Sequence, residues 1–158
     1  MNGIRTTVTL ALMALSISSS AQEFTSEDFQ DPSFGTKPPS MEALQDVSRD
    51  MLKTYRIEGV AGMRRLESQC WDEAEKDSFR LVSLCAAILR AGTVIETHYA
   101  RNEGREPNPV YGQAAPARLV AYTTARLSGE KLEQFVIWND DPETQQEIVD
   151  SLYTVGMH

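Results

Sequence analysis

Residues 79–101 read FRLVSLCAAILRAGTVIETHYAR, and this stretch decides the fold. Leu81, Leu84, Cys85, Ile88, Gly92, Ile95 and Tyr99 recur at steps of three and four, so they fall along one face of a helix. Val82, Ala86, Leu89 and Val94 fill much of the remaining circumference. A helix that is apolar nearly all round has to be enclosed by other elements, so this one is expected at the centre of its domain. Asp77 or Ser78 stands where its cap is needed.

Toward the N-terminus, Val60, Met63, Leu66 or Glu67, Cys70 and Ala74 share one side of a helix over about 60–75. Gly59 separates it from an earlier helix, about 41–56, capped by Ser40 and striped by Met41, Leu44, Val47, Met51 and Tyr55. The turn into the central helix lies near 76–78. Cys70 stands about seven residues before it and Cys85 about eight after, so at 1.5 Å per residue both are roughly 11–12 Å from the turn. In an antiparallel pair they are neighbours. A bridge closing a loop of about 15 residues contributes on the order of 3 kcal/mol in the chain-entropy picture. The competing reading is a pair of reduced core cysteines.

Toward the C-terminus, residues 102–115 (NEGREPNPVYGQAA) break the pattern, because Gly104, Pro107, Pro109 and Gly112 oppose a regular helix. The segment is long for a connection in a compact domain. Pro116 suits the first turn of a helix over about 116–127. Ser128-Gly129 separates it from a segment of about 130–138, where Leu132, Phe135 and Val136 are expected to face inward. Asp141 and Pro142 open a last helix that runs to about 155, with Ile148, Val149 and Leu152 apolar and Gly156 at its end. No run has the period of a strand, and no internal repeat is visible. The expected class is all-α: a single small bundle of five to six helices over 40–158, with a central buried helix and an intramolecular Cys70–Cys85 disulfide.

The first 21 residues predict a cleaved secretory signal. Arg5 precedes an uncharged stretch, Val8–Ile17, of about half the length that spans a bilayer, and Ser18–Ala21 supplies small residues for cleavage after Ala21. Residues 22–39 follow as an extended arm with Phe24, Phe29 and Phe34, either docked by its aromatics or left free. Localisation is thus expected to be periplasmic or secreted, with no membrane span after cleavage, and an even pair of cysteines there is most simply a disulfide. Beyond Ala21 the chain holds 14 bases against 23 acids, a net charge of −9. Nucleic acid and anionic membranes need a cationic surface, so neither is expected as partner; the charge reads either as that of an ordinarily acidic soluble protein or as a match for a basic protein partner.

Catalytic chemistry finds little to work with. The chain has two histidines, His98 and His158, and Glu96 is too close in sequence to face His98 on a helix. There is no nucleophile elbow, no zinc, haem or calcium signature and no phosphate-binding glycine loop. The expectation is no enzyme, no catalytic residue, no metal and no cofactor; a pair of carboxylates is the one cryptic arrangement left open. Binding remains. In the 102–115 loop, Arg105, Glu106, Asn108, Val110, Tyr111 and Gln113 are the partner-binding candidates, with Tyr111 either an exposed anchor or folded back onto the domain. Trp138 and Asp140, an aromatic beside acids at a helix junction, form a second candidate, although Trp138 also suits the core.

The segments Gly62–Trp71 (GMRRLESQCW) and Ser83–Gly92 (SLCAAILRAG) resemble the paired cysteine-bearing helices of a known group. These are the periplasmic immunity proteins that neutralise peptidoglycan-amidase effectors of type VI secretion systems, and the match in character covers about 40–155. The resemblance implies a non-catalytic inhibitor, often a homodimer, that blocks the cleft of a cell-wall hydrolase with a loop or helix end. An acidic inhibitor would be steered toward a basic hydrolase. The alternative is a structural or assembly factor of the cell envelope, and a third reading is a small secreted enzyme with two carboxylates.

Overall fold

The computed structural model describes residues 37–158. The expected signal, 1–21, and all but the end of the expected arm, 22–39, lie outside the described residues. Five helices follow in order: α1 Met41–Glu73, α2 Phe79–Asn102, α3 Ala115–Thr124, α4 Gly129–Asp140 and α5 Pro142–Thr154. There is no strand among the described residues, and no helix there is long and apolar enough to cross a membrane.

The two helices expected on either side of Gly59 form one element with a break. Gly59 takes φ 62° and ψ −152° inside α1, a conformation essentially reserved for glycine. At the start of α1 the Ser40 hydroxyl accepts from the Ala43 amide at 3.3 Å. Asp141 caps α5 in the same way, accepting from the Thr144 amide at 2.8 Å. Ser78 does occupy the cap position of α2, but its side chain makes no capping bond. The turn before α2 is fastened from outside instead: the Asp77 amide donates to the Arg126 carbonyl at 2.7 Å, and Lys131 Nζ to the Asp77 carbonyl at 2.6 Å.

α2 is the centre, packing on α1, α3, α4 and α5. From Val82 to Ala87 every side chain is buried, as are Leu89, Ala91, Ile95 and Ala100. Cys70 of α1 and Cys85 of α2 are bridged, with Cα atoms 5.6 Å apart. Two apolar clusters flank this centre. One joins Leu44, Met51, Leu52, Met63, Leu89, Ile95, Tyr111 and Leu152; the other joins Trp71, Phe79, Val82, Cys85, Leu127 and Phe135. Val136 departs from expectation: it is 48% exposed, because the inward side of α4 is set by Leu132, Phe135 and Asn139 and Val136 is one step round from it.

Candidate functional site

Residues 103–114 connect α2 to α3 without regular secondary structure, and the site is built around them. What holds this loop is a pair of buried glutamates. Glu96 lies one helical turn beyond Gly92 on α2, and its side chain is fully buried. Its carboxylate receives two nitrogens of Arg105, the longer contact at 3.3 Å, and the backbone amide of Asn108 at 2.9 Å. Arg105 also donates to the Tyr55 hydroxyl on α1 at 3.1 Å and to Glu103 at 2.6 Å. Burial pushes the Glu96 carboxyl up, but the Arg105 guanidinium, the Asn108 amide and Tyr55 together outweigh it and hold it below its ordinary value. Arg105, bonded to Glu96 and then Glu103, is correspondingly held in its charged form.

The second glutamate is Glu67 on α1, again with a fully buried side chain. Arg118 of α3 donates to it and, at 3.0 Å, to the carbonyl of Val110 in the loop. From Arg118 a stack of alternating cations and aromatic rings runs along α3. Arg118 lies 5.9 Å from the Tyr111 ring centre and 5.8 Å from that of Tyr122. Arg126 then lies 5.8 Å from Tyr122 and 5.3 Å from Trp71, while Tyr122 and Trp71 stack at 4.9 Å. Arg118 and Tyr122 are spaced by four on one face of α3, and Arg126, in the turn just past the end of that helix, continues the row toward α1, where it donates to the Trp71 carbonyl.

Tyr111 is fully buried, so of its two readings it is the one folded back onto the domain, not the exposed anchor. The physical reason is Gly92. A Cβ built there would stand 2.5 Å from Tyr111 Cε1 and 3.1 Å from Met51 Cε, so the missing side chain is the space the ring occupies. The Tyr111 hydroxyl makes no hydrogen bond of good geometry, and burial, then the neighbouring Glu67 carboxylate, push its pKa well above the ordinary phenol value.

The loop also bonds to itself. The amides of Tyr111 and Gly112 both donate to the Asn108 carbonyl at 2.9 Å, that of Val110 to Asn108 Oδ1 at 3.1 Å, and that of Ala114 to the Pro109 carbonyl at 2.9 Å. Of the candidates in this segment, Arg105 is exposed but spends its charge on Glu96 and Glu103. Asn108 and Val110 are half-buried; Glu106 and Gln113 are exposed. The outer surface of the loop is therefore Glu103, Gly104, Arg105, Glu106, Pro109 and Gln113, with Arg105 and Glu103 paired to each other. Trp138 and Asp140 belong to α4 instead. Trp138 is half-buried in the second cluster, 6.0 Å from Phe135, and Asp140 is exposed and accepts from Asn139 at 3.0 Å.

Sequence reasoning missed Glu67, Glu96 and Arg118. A signal for the first was present, since Glu67 falls on the apolar stripe of its helix. His98 bonds to Asn102 at 3.1 Å and packs edge-on against Tyr99 and Tyr153 rather than meeting a carboxylate. Among the described residues no group of three or more His, Cys, Asp or Glu side chains is placed to hold a metal ion. No protein-family profile matches the chain, and neither a curated protein nor a solved structure matches it.

Proposed function

We propose that this is an exported, non-catalytic binding protein that presents the outer surface of its 103–114 loop to a protein partner. The most specific form of the proposal is an immunity protein that blocks the cleft of a peptidoglycan amidase. One observation carries it: the loop is long and irregular, yet its shape is set by Glu96, Glu67 and Tyr111 while Glu103, Glu106, Pro109 and Gln113 stay exposed. A recognition loop held in one shape loses little entropy on binding. Glu106 on that rim, in a chain of net charge −8, suits a basic hydrolase and a fast encounter. The Cys70–Cys85 bridge supports export, since disulfides persist in oxidising compartments.

The envelope-assembly reading has its own support in α4, where Val136 and Ile137 expose 48% and 73% of their surface. One experiment separates the two. The protein is produced in the periplasm together with peptidoglycan-amidase effectors, and lysis is followed. The wild type should protect, Glu106→Lys with Gln113→Lys should abolish protection at unchanged melting temperature, and Val136→Ser with Ile137→Ser should protect fully. Protection indifferent to the loop pair, or no protection by the wild type, would sink the immunity reading.

A further inference from the structure

Away from the loop, one groove is lined by cations although the chain as a whole is acidic. It lies between the first half of α1 and the C-terminal tail, measures about 270 Å³, and is lined by Arg49, Leu52, Lys53, Arg56, Ile57 and Val155. Arg49, Lys53 and Arg56 are spaced by four and three, which places them one above another on the helix surface. Arg49 is paired with Asp46 at 2.5 Å, and Asp50 stands near Lys53. Arg56 donates to the Gly156 carbonyl at 2.6 Å, which fixes its head at the groove edge. Neither Lys53 nor Arg56 has a carboxylate within ion-pair distance among the described residues. Ile57 is 71% exposed beside them, an apolar surface framed by cations.

A surface of that kind fits an acidic peptide that carries an aromatic side chain. The chain contains one. Residues 22–36, QEFTSEDFQDPSFGT, hold Glu23, Glu27, Asp28 and Asp31 together with Phe24, Phe29 and Phe34, and no Lys or Arg. They enter the described domain at Lys37, and Pro39 is buried at the foot of α1. At 1.5 Å per residue, the groove lies roughly 14–26 Å along α1 from Ser40. Phe29 precedes Ser40 by eleven residues, which span up to about 36 Å when extended, so it reaches the groove without strain.

We propose that this groove is the docking site of segment 22–36 of the same chain, with Phe29 on Ile57 and Val155, and Asp28 and Asp31 against Lys53 and Arg56. The segment thereby covers the exposed Ile57 and neutralises the two cations left without carboxylate partners.

Photo-crosslinking of the whole mature chain tests this, with benzoylphenylalanine in place of Phe29 and peptide mapping of the products. Crosslinks within one molecule to Ile57 or Val155 are expected. Lys53→Glu with Arg56→Glu should cut their yield about fivefold or more, and adding Asp28→Lys with Asp31→Lys should restore it. In the chain with native charges, rising salt should lower the yield steadily, which decides the matter even if the charge-reversed protein folds poorly. Crosslinks to other positions, crosslinks to a second copy, or a yield indifferent to salt would each overturn the proposal.

Discussion

At Gly92 the backbone of α2 passes directly beneath the Tyr111 ring, and the distances there determine what substitution does. Gly92→Ala should cost about 1–3 kcal/mol by overpacking, read from urea unfolding. In a Tyr111→Leu background the same change should become neutral or stabilising, because alanine is the better helix former by roughly 1 kcal/mol and the obstructing ring is gone. Equal costs in both backgrounds would place the constraint elsewhere. Glu96 makes a pH prediction. Its folded pKa is lowered, so the unfolded state binds the proton more readily. The associated stability is fully present above the unfolded value of 4.5 and is lost as pH falls through the lower folded value. As pH falls below the unfolded value of 4.5, the urea midpoint of the wild type should therefore fall more steeply than that of Glu96→Gln. Parallel curves would contradict the bonding described for Glu96. Glu96 does not announce its burial in the sequence, because a helical glutamate usually faces water, and Glu67 does so only by falling on the apolar stripe of its helix. Their cations, Arg105 and Arg118, lie nine and 51 residues away, and only the folded chain brings them together.

Elements were more legible than residues. The period of 79–101 is enough to put α2 in the middle, since a helix with no polar side leaves no other place for itself. Residue counting around the 76–78 turn puts Cys70 opposite Cys85, and their Cα atoms are 5.6 Å apart. Reduction, or Cys85→Ser, should cost on the order of 3 kcal/mol, measured as the shift in unfolding free energy. A shift near zero would mean that the helix pair needs no tether. The break at Gly59 was visible too, but not its form: a glycine between two apolar stripes predicts an interruption, not a helix resumed at once. Nothing within 4 Å would meet a Cβ at Gly59, so the cost of Gly59→Ala should come from its positive φ alone, about 1–3 kcal/mol. The α3 stack offers a further test. Arg118→Ala leaves the Glu67 charge buried without its cation, and should cost about 2 kcal/mol or more, whereas Arg118→Ala with Glu67→Leu should recover much of that.

At the scale of the whole molecule, the loop and the bundle form one structure rather than a scaffold with an appendage. Prolines and glycines in 102–115 identify a loop but are silent on whether Tyr111 points outward. The deciding information is Gly92, nineteen residues earlier, which reads in sequence only as one small residue on an apolar face. The proposed recognition surface therefore shifts from the aromatic to the polar residues that its burial leaves outside: Glu103, Glu106 and Gln113. The central claim is that this loop holds its shape before any partner arrives. Hydrogen exchange of the Tyr111, Gly112 and Ala114 amides in the free protein tests it most directly. The account predicts exchange far slower than in an unstructured peptide, accelerated selectively in the loop, and not in α4, by Glu96→Gln. Exchange of these three amides at unstructured-peptide rates in the wild type would contradict it.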